Sequence, residues 1–270
     1  MPYDLAIAGA GNMAEAIVRG LLRAGAISAD RIIAADPVEA RRAIFTSLGT
    51  HVTDNTADLA DARVLLLATK PQTLPAALQS LRDRLPADTL VISIAAGVSC
   101  AKIEQQLSAD PALPPRVVRS MPNTPMLVGA GAVAIAPGHR ASSDDLRTAR
   151  KLFETSAVVV EVKEELIDAV TALSGSGPAY VFYLVEQMTR AGIELGLSDT
   201  DAALLARRTA YGAGLMLEQS PEPADELRRR VTSPGGTTQA AIESLDRNRW
   251  PDVTRAAIHA AQQRGRELGR

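Results

Sequence analysis

The chain has 270 residues, 46% of them hydrophobic and 22% charged, and its 29 basic and 31 acidic residues give a formal charge of −2; these values are typical of globular proteins and exclude a disordered chain and a basic nucleic-acid-binding protein. The apolar runs are too short to span a bilayer, and no basic segment precedes the first of them, so we expect neither a membrane span nor a secretory signal. Cys100 is the only cysteine and there are three histidines, so we expect no disulfide within the chain, no bound metal and a reducing, cytoplasmic location.

Short apolar strands alternate with amphipathic helices through about the first 160 residues. Strands are predicted at Leu5–Ala8, Arg31–Ala35, Val64–Ala68, Thr89–Ile94, Arg116–Arg119, Ala132–Ile135 and Val158–Val160, and helices at Met13–Leu22, Val38–Leu48 and Leu74–Leu85. Strands that are apolar throughout and alternate with helices are typical of a parallel sheet covered on both faces. We therefore predict an N-terminal α/β domain with a mostly parallel sheet.

The pattern changes near Glu161, and from Glu164 onward the spacing is helical, with no convincing strand. Helices are predicted at Leu166–Leu173, Tyr180–Leu195, Thr200–Glu218, Ala240–Arg247 and Val253–Leu268. We place the boundary between Lys163 and Glu164. The chain is then divided into an α/β domain of residues 1–163 and an all-helical domain of residues 164–270.

A glycine-rich turn joins the first predicted strand to the first helix. The segment Gly9–Ala14 reads G-x-G-x-x-A in a strand–turn–helix context, as in Rossmann-like dinucleotide-binding domains. Gly9 permits the tight turn, Gly11 lets a pyrophosphate approach the backbone, and Ala14 lets the helix pack closely. We predict phosphate contacts at the start of that helix, from Gly9, Gly11, Asn12 and Met13. The alternative is an ordinary glycine turn.

Asp36 ends the second predicted strand. An acid at this point can accept hydrogen bonds from the adenosine ribose and repels the extra phosphate of NADP, so we expect Asp36 to bind the cofactor and to favour NADH. Against this, Arg41 and Arg42 lie one turn further on and could pair with that phosphate. Alternatively, Asp36 only caps the next helix, with Pro37 at its first position.

Three more polar loops follow predicted strands: Ala68-Thr69-Lys70-Pro71, Ala95-Ala96-Gly97 and Met121–Pro125. Ligands of open α/β sheets bind beyond the carboxyl ends of the strands, so we expect these loops to surround the nicotinamide. The candidate cofactor-binding residues in them are Ala68, Lys70, Pro71, Ala95, Ala96, Gly97 and Asn123. Any one loop could be merely a turn, and Lys70 alone could be a surface lysine.

Two motifs of the helical half combine glycines with hydroxyl side chains. Leu173–Tyr180 breaks a helix at its glycines and restarts it at Pro178. Val231–Thr238 contains two glycines immediately before a predicted helix, where backbone N–H groups can bind a carboxylate. The N–H groups concerned are those of Gly236, Thr237 and Thr238, and a hydroxyl can come from Ser233 or Thr238. The alternative is a capped helix start, with Ser233 or Thr237 as the N-cap.

These motifs make the sequence similar to pyrroline-5-carboxylate reductase, the family that catalyses the last step of proline biosynthesis. The resemblance covers essentially the whole chain and is carried by Gly9–Ala14, Thr69–Pro71, Ala95–Gly97, Met121–Pro125, Asp168–Tyr180 and Ser233–Thr238. It implies reduction of 1-pyrroline-5-carboxylate to L-proline by NAD(P)H, with NADPH the usual donor in the family. It also implies a Rossmann-like domain and a helical domain that interleaves with a second chain, in a homodimer that is often assembled into a decamer.

The resemblance also implies roles for individual residues. Asn55 resembles an asparagine that touches the adenosine side of the cofactor. Ser233, Gly236 and Thr238 resemble the residues that hold the substrate carboxylate and approach its ring nitrogen. The remaining candidates for substrate binding are Gly235, Thr237 and Ser176.

Two positions depart from the family pattern. Asp36 stands where many members have serine, threonine or asparagine, which puts the usual NADPH preference in question. Arg229 stands where members carry an acidic residue, and its role stays open.

The helical half contains no lysine, since Lys163 is the last in the chain, and His259 is its only histidine. Similar two-domain dehydrogenases that act on hydroxy acids use a lysine of the helical domain as the acid. An imine is more basic than a ketone and can arrive already protonated, so this composition favours an imine substrate. We expect the Thr238 hydroxyl, as the catalytic residue, to hydrogen-bond the ring nitrogen and to contribute on the order of 10²-fold.

Three other functions are compatible with the same motifs: a reductase of another small cyclic imino acid, a dinucleotide sensor without catalysis, and a structural protein with a decayed Rossmann site. The segment Ala210–Gly214 places small residues around one predicted helix. Such residues permit the close approach of another helix, either within the chain or from a second copy. The resemblance favours a second copy.

Overall fold

The computed structural model describes residues 2–108, 110 and 113–268. Its strands are β1 (Tyr3–Ala8), β2 (Ile32–Ala35), β3 (His51–Thr53), β4 (Ala62–Leu67), β5 (Leu90–Ser93), β6 (Arg116–Met121), β7 (Gly131–Pro137) and β8 (Ala157–Glu161). Its helices are α1 (Asn12–Arg23), α2 (Glu39–Ser47), α3 (Leu74–Leu81), α4 (Cys100–Leu107), α5 (Ser143–Phe153), α6 (Ile167–Val170), α7 (Gly177–Glu194), α8 (Asp199–Gln219), α9 (Ala224–Arg230), α10 (Thr237–Arg247) and α11 (Trp250–Leu268). A π-helical turn, Thr171–Gly175, lies between α6 and α7.

The eight strands form one sheet in the order β3-β2-β1-β4-β5-β6-β7-β8. All neighbours pair in parallel except β6 and β7, which are antiparallel. The connection from β6 to β7 is too short for a helical crossover, so the chain can only turn back beside the strand it has left. The prediction of a mostly parallel sheet is confirmed. The first six strands bring their carboxyl ends to one edge of the sheet.

The central strands of the sheet, such as β1, β2 and β5, are buried on both faces, which explains why they are apolar throughout. Leu5 of β1 belongs to a cluster that includes Ile17 of α1, whereas its neighbour Ala6 belongs to a cluster that includes Leu74 of α3. Successive side chains of a strand point to opposite faces, so both must be apolar when helices cover both.

Some elements escaped the sequence analysis because their apolar signal is weak. The helix α5 is mostly polar, but it begins with a complete capping box in which the Ser142 hydroxyl and the Asp145 backbone and side chain bond reciprocally. The three-residue strand β3 and the short helices α4 and α9 were also missed. In contrast, α3 ends at Leu81, earlier than predicted, and Asp83 just beyond it has a φ of 56°.

Packing divides the chain into two compact units, one formed by the residues up to Ser176 together with those from Ala261, the other by Gly177–Ala260. The first unit extends past the predicted boundary at Lys163 because Ile167 of α6 packs with Met121 and Ala134 of the sheet. The C-terminal part of α11 also belongs to this unit, where a Cβ on Gly265 would lie 3.9 Å from the Asp168 side chain. Residues 269 and 270 of the predicted second domain lie outside the described residues.

The second unit is helical and leaves many large apolar side chains exposed. Phe182 and Tyr183 of α7 are 67% and 64% exposed, and Leu204 and Met216 of α8 are 57% and 54% exposed. A continuous exposure of this kind marks an interaction surface. Among the described residues, no helix has the length and apolar character needed to cross a bilayer.

Gly212 and Gly214 of α8 have no close neighbours among the described residues. A Cβ added at Gly212 or Gly214 would meet no atom of the described residues within 4 Å, apart from the backbone of the helix itself. In contrast, a Cβ at Gly192 of α7 would lie 3.1 Å from the Ala202 side chain of α8. The α7–α8 contact therefore uses Gly192, and the glycines of α8 remain on an open surface.

Candidate active site

The fingerprint loop is pressed against the end of β4. Gly9 has a φ of 97°, and a Cβ there would lie 2.9 Å from the Ala68 carbonyl atoms and from the Thr69 nitrogen. The Gly9 N–H donates to the Ala35 carbonyl oxygen at the end of β2, at 2.8 Å. Only glycine fits this position, because any side chain would be strained in backbone conformation and would clash. The turn thus joins the ends of β1, β2 and β4.

The start of α1 is open, as a phosphate site requires. Gly11 is the N-cap residue and supplies no side-chain cap, and a Cβ added there would have nothing within 4 Å among the described residues. The first N–H groups of a helix have no acceptor within the helix and lie at the positive end of its dipole. Nearby, the Thr69 hydroxyl is buried and has no hydrogen-bond partner in the described part of the chain. These residues fit the pyrophosphate of a dinucleotide.

Asp36 ties the fingerprint loop to the end of β2. Its Oδ2 accepts a hydrogen bond from the Ala10 N–H at 2.8 Å, and its Oδ1 accepts one from the Val38 N–H at 2.9 Å. The helix α2 has Val38 as its N-cap residue. The alternative of Asp36 as the N-cap is therefore wrong, although its carboxylate does bond to the chain entering α2.

Two arginines of α2 flank that carboxylate, and both are engaged within the chain. The Arg41 Nε donates to the Ala10 carbonyl at 2.6 Å, and its Nη2 pairs with Glu15 at 3.0 Å. The Arg42 Nη1 donates to the Asp36 and Pro37 carbonyls at 2.7 and 2.9 Å. Burial opposes the ionisation of Glu15, but the contacts with arginine together outweigh it and lower its pKa. Glu15 also pairs with Arg19 at 2.9 Å, so its single negative charge is shared between Arg19 and Arg41.

The other residues predicted to bind the adenosine side and the near end of the nicotinamide lie on the surface. Asn55 is exposed at the start of a 3₁₀ turn after β3, where its Oδ1 accepts from the Ala57 N–H at 3.1 Å and its Nδ2 donates to Asp58 at 2.9 Å. Lys70 is exposed and Pro71 half-buried just beyond β4. These positions surround the carboxyl edge of the sheet on the side of β3, β1 and β4.

The predicted nicotinamide loop follows β5. Its first residue, Ala95, is buried and donates its N–H to the Ser93 hydroxyl at 3.2 Å, and Gly97 has a φ of 75°. Between them, Ala96 packs on the cluster that contains Met121 and Ile167. The loop is held by the sheet beneath it and by the segment that leads out of the first unit.

Asn123 follows β6 but is engaged on both sides of its amide. It is 8% exposed, its Nδ2 donates to the Ser174 carbonyl at 3.1 Å, and its Oδ1 accepts from the Ala132 N–H at 2.9 Å. The chain reaches Ser174 through α6 and the π-helical turn, which is closed by the Ser176 N–H donating to the Thr171 carbonyl at 2.8 Å. Ser176 therefore lies in the first unit, beside the end of β6.

The second predicted substrate motif lies in the other unit and folds as a tight loop before α10. Gly235 has a φ of 69° and donates its N–H to the Gln239 Oε1 at 2.7 Å. The Gly236 N–H donates to the Ser233 carbonyl at 3.0 Å, and a Cβ at Gly236 would lie 2.5 Å from the Ser233 hydroxyl. The loop thus uses the Gly236 N–H internally, and that group is not available to hold a carboxylate as predicted.

The helix α10 begins without a side-chain cap. Its N-cap residue is Gly236, so the alternative of Ser233 or Thr237 as the N-cap is wrong. The N–H groups at the start of the helix have no acceptor within it, and those of Thr237 and Thr238 remain to bind an anion. Ser233 and Thr237 are exposed, and Thr238 is half-buried.

Arg229, the departure from the family pattern, pairs within its own helix. Its Nε and Nη2 contact the two carboxylate oxygens of Glu226 at 2.9 and 2.5 Å. The hydrogen bonds from Arg229 and then Arg230 lower the pKa of Glu226. The charge of Arg229 is therefore matched locally.

The sequence analysis did not single out Thr69 itself or the bond from Arg41 to the loop. Thr69 was discoverable, since it lies inside a quoted loop and threonine can place a hydroxyl near a phosphate. The Arg41 contact joins residues far apart in sequence and left no local pattern.

Comparison with known proteins agrees with the fold and with the motifs. Residues 164–268 match the family model described as pyrroline-5-carboxylate reductase dimerisation, and residues 4–97 match one described as NADP oxidoreductase, coenzyme F420-dependent. The pyrroline-5-carboxylate reductase of Pseudomonas aeruginosa is 44% identical over 98% of this chain and 96% of its own, and that of Synechocystis is 39% identical over 100% of both.

Solved structures extend the comparison. A pyrroline-5-carboxylate reductase from Coxiella burnetii superposes with a TM-score of 0.91, at 34% identity over 100% of both chains. The Plasmodium falciparum pyrroline carboxylate reductase with NADP bound superposes with a TM-score of 0.86, at 27% identity over 99% of this chain and 98% of that one. The predicted Rossmann-like domain followed by a helical dimerisation domain is confirmed. The chain belongs to the pyrroline-5-carboxylate reductase family.

Proposed function

We propose that this protein reduces 1-pyrroline-5-carboxylate to L-proline with hydride from NAD(P)H, in the last step of proline biosynthesis. One observation carries the proposal: the chain contains two long helices that both begin at a glycine N-cap without a side-chain cap, α1 and α10. The first suits a pyrophosphate and the second a carboxylate, because both are anions that bind free helix N–H groups. Family membership supplies the identity of the two ligands.

The cofactor would be held by Gly9, Gly11, Asn12 and Met13 at the phosphates, and it supplies hydride when bound. On the adenosine side we propose Asp36 and Asn55. Two loops would complete the cofactor site. One follows β4 and contains Ala68, Lys70 and Pro71, and the other follows β5 and contains Ala95, Ala96 and Gly97. The unpartnered Thr69 hydroxyl supports this placement, since it lacks an acceptor or donor in the described chain.

The substrate would be held by the loop before α10, and Ser176 is a further candidate for substrate binding. The N–H groups of Thr237 and Thr238 hold its carboxylate, and Ser233 adds a hydroxyl. Gly235 and Gly236 shape the loop, since Gly235 has a φ of 69° and a Cβ on Gly236 would lie 2.5 Å from the Ser233 hydroxyl. The Thr238 hydroxyl hydrogen-bonds the ring nitrogen. An imine that arrives protonated needs orientation more than a strong acid.

The proposal is tested by mixing protein, NADH or NADPH and 1-pyrroline-5-carboxylate and following the loss of reduced nicotinamide absorbance. We expect loss that requires both substrates and yields proline. Six-membered imino acids, compared at equal concentration, should turn over more slowly. Faster turnover of the larger ring would favour the other cyclic imino acid, and cofactor binding without turnover would favour a sensor.

We propose NADH as the preferred donor. The Asp36 carboxylate borders the fingerprint loop, and the Arg41 guanidinium beside it is already engaged by Glu15 at 3.0 Å and by the Ala10 carbonyl at 2.6 Å. Arg42 is engaged by backbone carbonyls. A ribose with free hydroxyls suits such a surface better than a 2′-phosphate does.

The family model for dimerisation covers the helical part of the chain, and self-association follows from it. We propose a homodimer formed by the exposed apolar faces of α7 and α8, which further assembles into a decamer. Light scattering at micromolar concentration should show no species with the 28.4 kDa mass of one chain. A monomer at that concentration would contradict the proposal. We also propose a cytoplasmic location, with Cys100 as a buried free thiol.

A further inference from the structure

The side chain of Asn123 joins the end of the sheet to the turn that leads into α7. The sequence analysis predicted a different role for Asn123, as a residue that contacts the cofactor. We propose that Asn123 is a positioning residue for the substrate-binding segment Ser174–Ser176, and that it does not contact the cofactor. The inference rests on the proposed function, and it adds a residue that acts through the backbone of another segment.

The Ser174 carbonyl cannot form the regular α-helical hydrogen bond. In a regular helix that oxygen would accept from the N–H four residues later, but residue 178 is proline and has no N–H. The Asn123 Nδ2 donates to this oxygen at 3.1 Å. A side-chain amide thus replaces the backbone donor that Pro178 removes, at the point where the π-helical turn passes into α7.

The other end of the amide fixes which atom faces the turn. Its Oδ1 accepts from the Ala132 N–H in β7 at 2.9 Å, so only one orientation of the amide satisfies both neighbours. Ala132 pairs with β8 inside the sheet. Asn123 is therefore anchored on the sheet and buried, and the free part of its bonding capacity is directed to Ser174.

Apolar contacts set the same segment against the predicted nicotinamide loop. A Cβ on Gly175 would lie 3.7 Å from the Met121 Cγ and Sδ. Met121 shares one cluster with Ile167 of α6, and Ala96 of the nicotinamide loop packs against that cluster. A shift of Ser174–Ser176 would therefore change where Ser176 lies relative to the loop that borders the reacting carbon. π-helical turns are frequent at functional sites, and this one is closed at Ser176.

The test is Asn123→Asp, which keeps an acceptor for Ala132 but turns a carboxylate oxygen toward the Ser174 carbonyl. We expect the KM for 1-pyrroline-5-carboxylate to rise about tenfold and kcat to fall, because the partly buried Ser174 carbonyl loses its donor. The Kd for NADH, measured by direct fluorescence titration, should stay within about twofold of the wild type. A raised Kd for NADH with an unchanged substrate KM would overturn the proposal and restore Asn123 as a cofactor contact.

Asn55→Asp is the matched control, since it makes the same change at an exposed asparagine that we assign to the cofactor. It should raise the Kd for NADH and leave the KM for 1-pyrroline-5-carboxylate unchanged. If Asn123→Asp does not fold, as judged by circular dichroism and thermal unfolding, Asn123→Ser provides the same comparison without a new charge. An unchanged substrate KM in that folded variant would equally contradict the assignment.

A second variant asks whether the Ser174 carbonyl is the point of action. Pro178→Ala restores a backbone N–H four residues after Ser174. When Pro178→Ala is combined with Asn123→Asp, the double variant should recover at least about a third of the kcat/KM that Asn123→Asp loses. A general loss of stability would not produce such coupling between the two positions. No recovery would contradict the proposed contact. These outcomes are separate from a failure of the proposed function, which would appear as absent turnover in the wild type.

Discussion

The carboxylate Oδ2 of Asp36 accepts a hydrogen bond from the backbone N–H of Ala10 at 2.8 Å. The residue that directly follows β2 thereby holds the middle of the fingerprint loop that follows β1. A negative charge thus lies directly beside the loop at which the phosphates are expected. Asp36 therefore supports the loop through its hydrogen bond, and we propose that its charge sets the choice between NADH and NADPH.

We expect Asp36→Ser to lower kcat/KM with both cofactors and to raise the NADPH to NADH ratio of kcat/KM about tenfold, because a charge that repels the 2′-phosphate is removed. Steady-state kinetics with each cofactor at saturating substrate measure the ratio. Asp36→Asn is the control, since it removes the charge and retains an acceptor for the Ala10 N–H. The same shift in both variants assigns the effect to charge, and an unchanged ratio in both would refute a role for Asp36 in cofactor choice.

Thr238→Ala should lower kcat/KM for 1-pyrroline-5-carboxylate on the order of 10²-fold, because we propose that this hydroxyl hydrogen-bonds the ring nitrogen where the proton is held. The backbone N–H at residue 238 is retained, so the carboxylate contact survives. Thr238→Ser should keep most of the activity, and Thr237→Ala, which removes an exposed hydroxyl one residue away, should change it less than twofold. Wild-type kcat and KM in Thr238→Ala would show that another group serves the nitrogen.

Gly9→Ala should destabilise the protein and weaken cofactor binding at least tenfold. Gly9 combines a φ of 97° with a Cβ position 2.9 Å from three backbone atoms, and a strained backbone alone costs about 1–3 kcal/mol. Urea unfolding and NADH titration measure the two effects. Gly129→Ala is a suitable control, because Gly129 has a φ of 77° but no described atom within 4 Å of its Cβ position. Gly129→Ala should be destabilised only by the strained backbone and should bind NADH normally. If both variants lose equal stability and equal NADH affinity, the clash at the end of β4 is ruled out.

The Cys100 thiol should be unreactive in the folded protein. Burial first, and then the nearby Glu164, raise the pKa of this thiol well above its ordinary range, which disfavours the reactive thiolate. A thiol reagent such as dithionitrobenzoate should label native protein slowly and urea-unfolded protein rapidly. Rapid labelling of the native protein would show that Cys100 opens to solvent.

The same shift has a consequence for stability. The unfolded thiol ionises near pH 8.5, whereas the folded thiol stays protonated at that pH. The contribution of Cys100 to the stability of the folded state is therefore fully present below about pH 8.5 and is lost as the pH rises above it. The free energy of unfolding of the wild type should therefore fall between about pH 8.5 and 10. The free energy of unfolding of Cys100→Ala should fall less steeply over that range. Equal slopes in both proteins would contradict the shift.

The amino-acid sequence was sufficient to predict those features of the protein that depend on neighbouring residues. The fingerprint at Gly9–Ala14 was readable because a strand, a turn and a helix start follow one another directly, and the two-part architecture was readable because apolar runs give way to helical spacing after Glu161. The loop before α10 was predicted in the same way, from glycines placed just before a helix, and its role in substrate binding stays a prediction. Local patterns indicate such loops because consecutive backbone groups form them.

The three-dimensional structure was needed to show which polar groups are already hydrogen-bonded within the chain and where one compact unit ends and the next begins. Asn123 follows a strand end, as a cofactor residue would, but its amide bonds to Ser174, 51 residues away in sequence. The Gly236 N–H is used within its own loop, and the segment through Ser176 packs with the sheet although its residues have helical spacing. Such pairings join residues from separate elements, and a sequence shows which groups can form hydrogen bonds but not which of them the fold brings within 3 Å of each other.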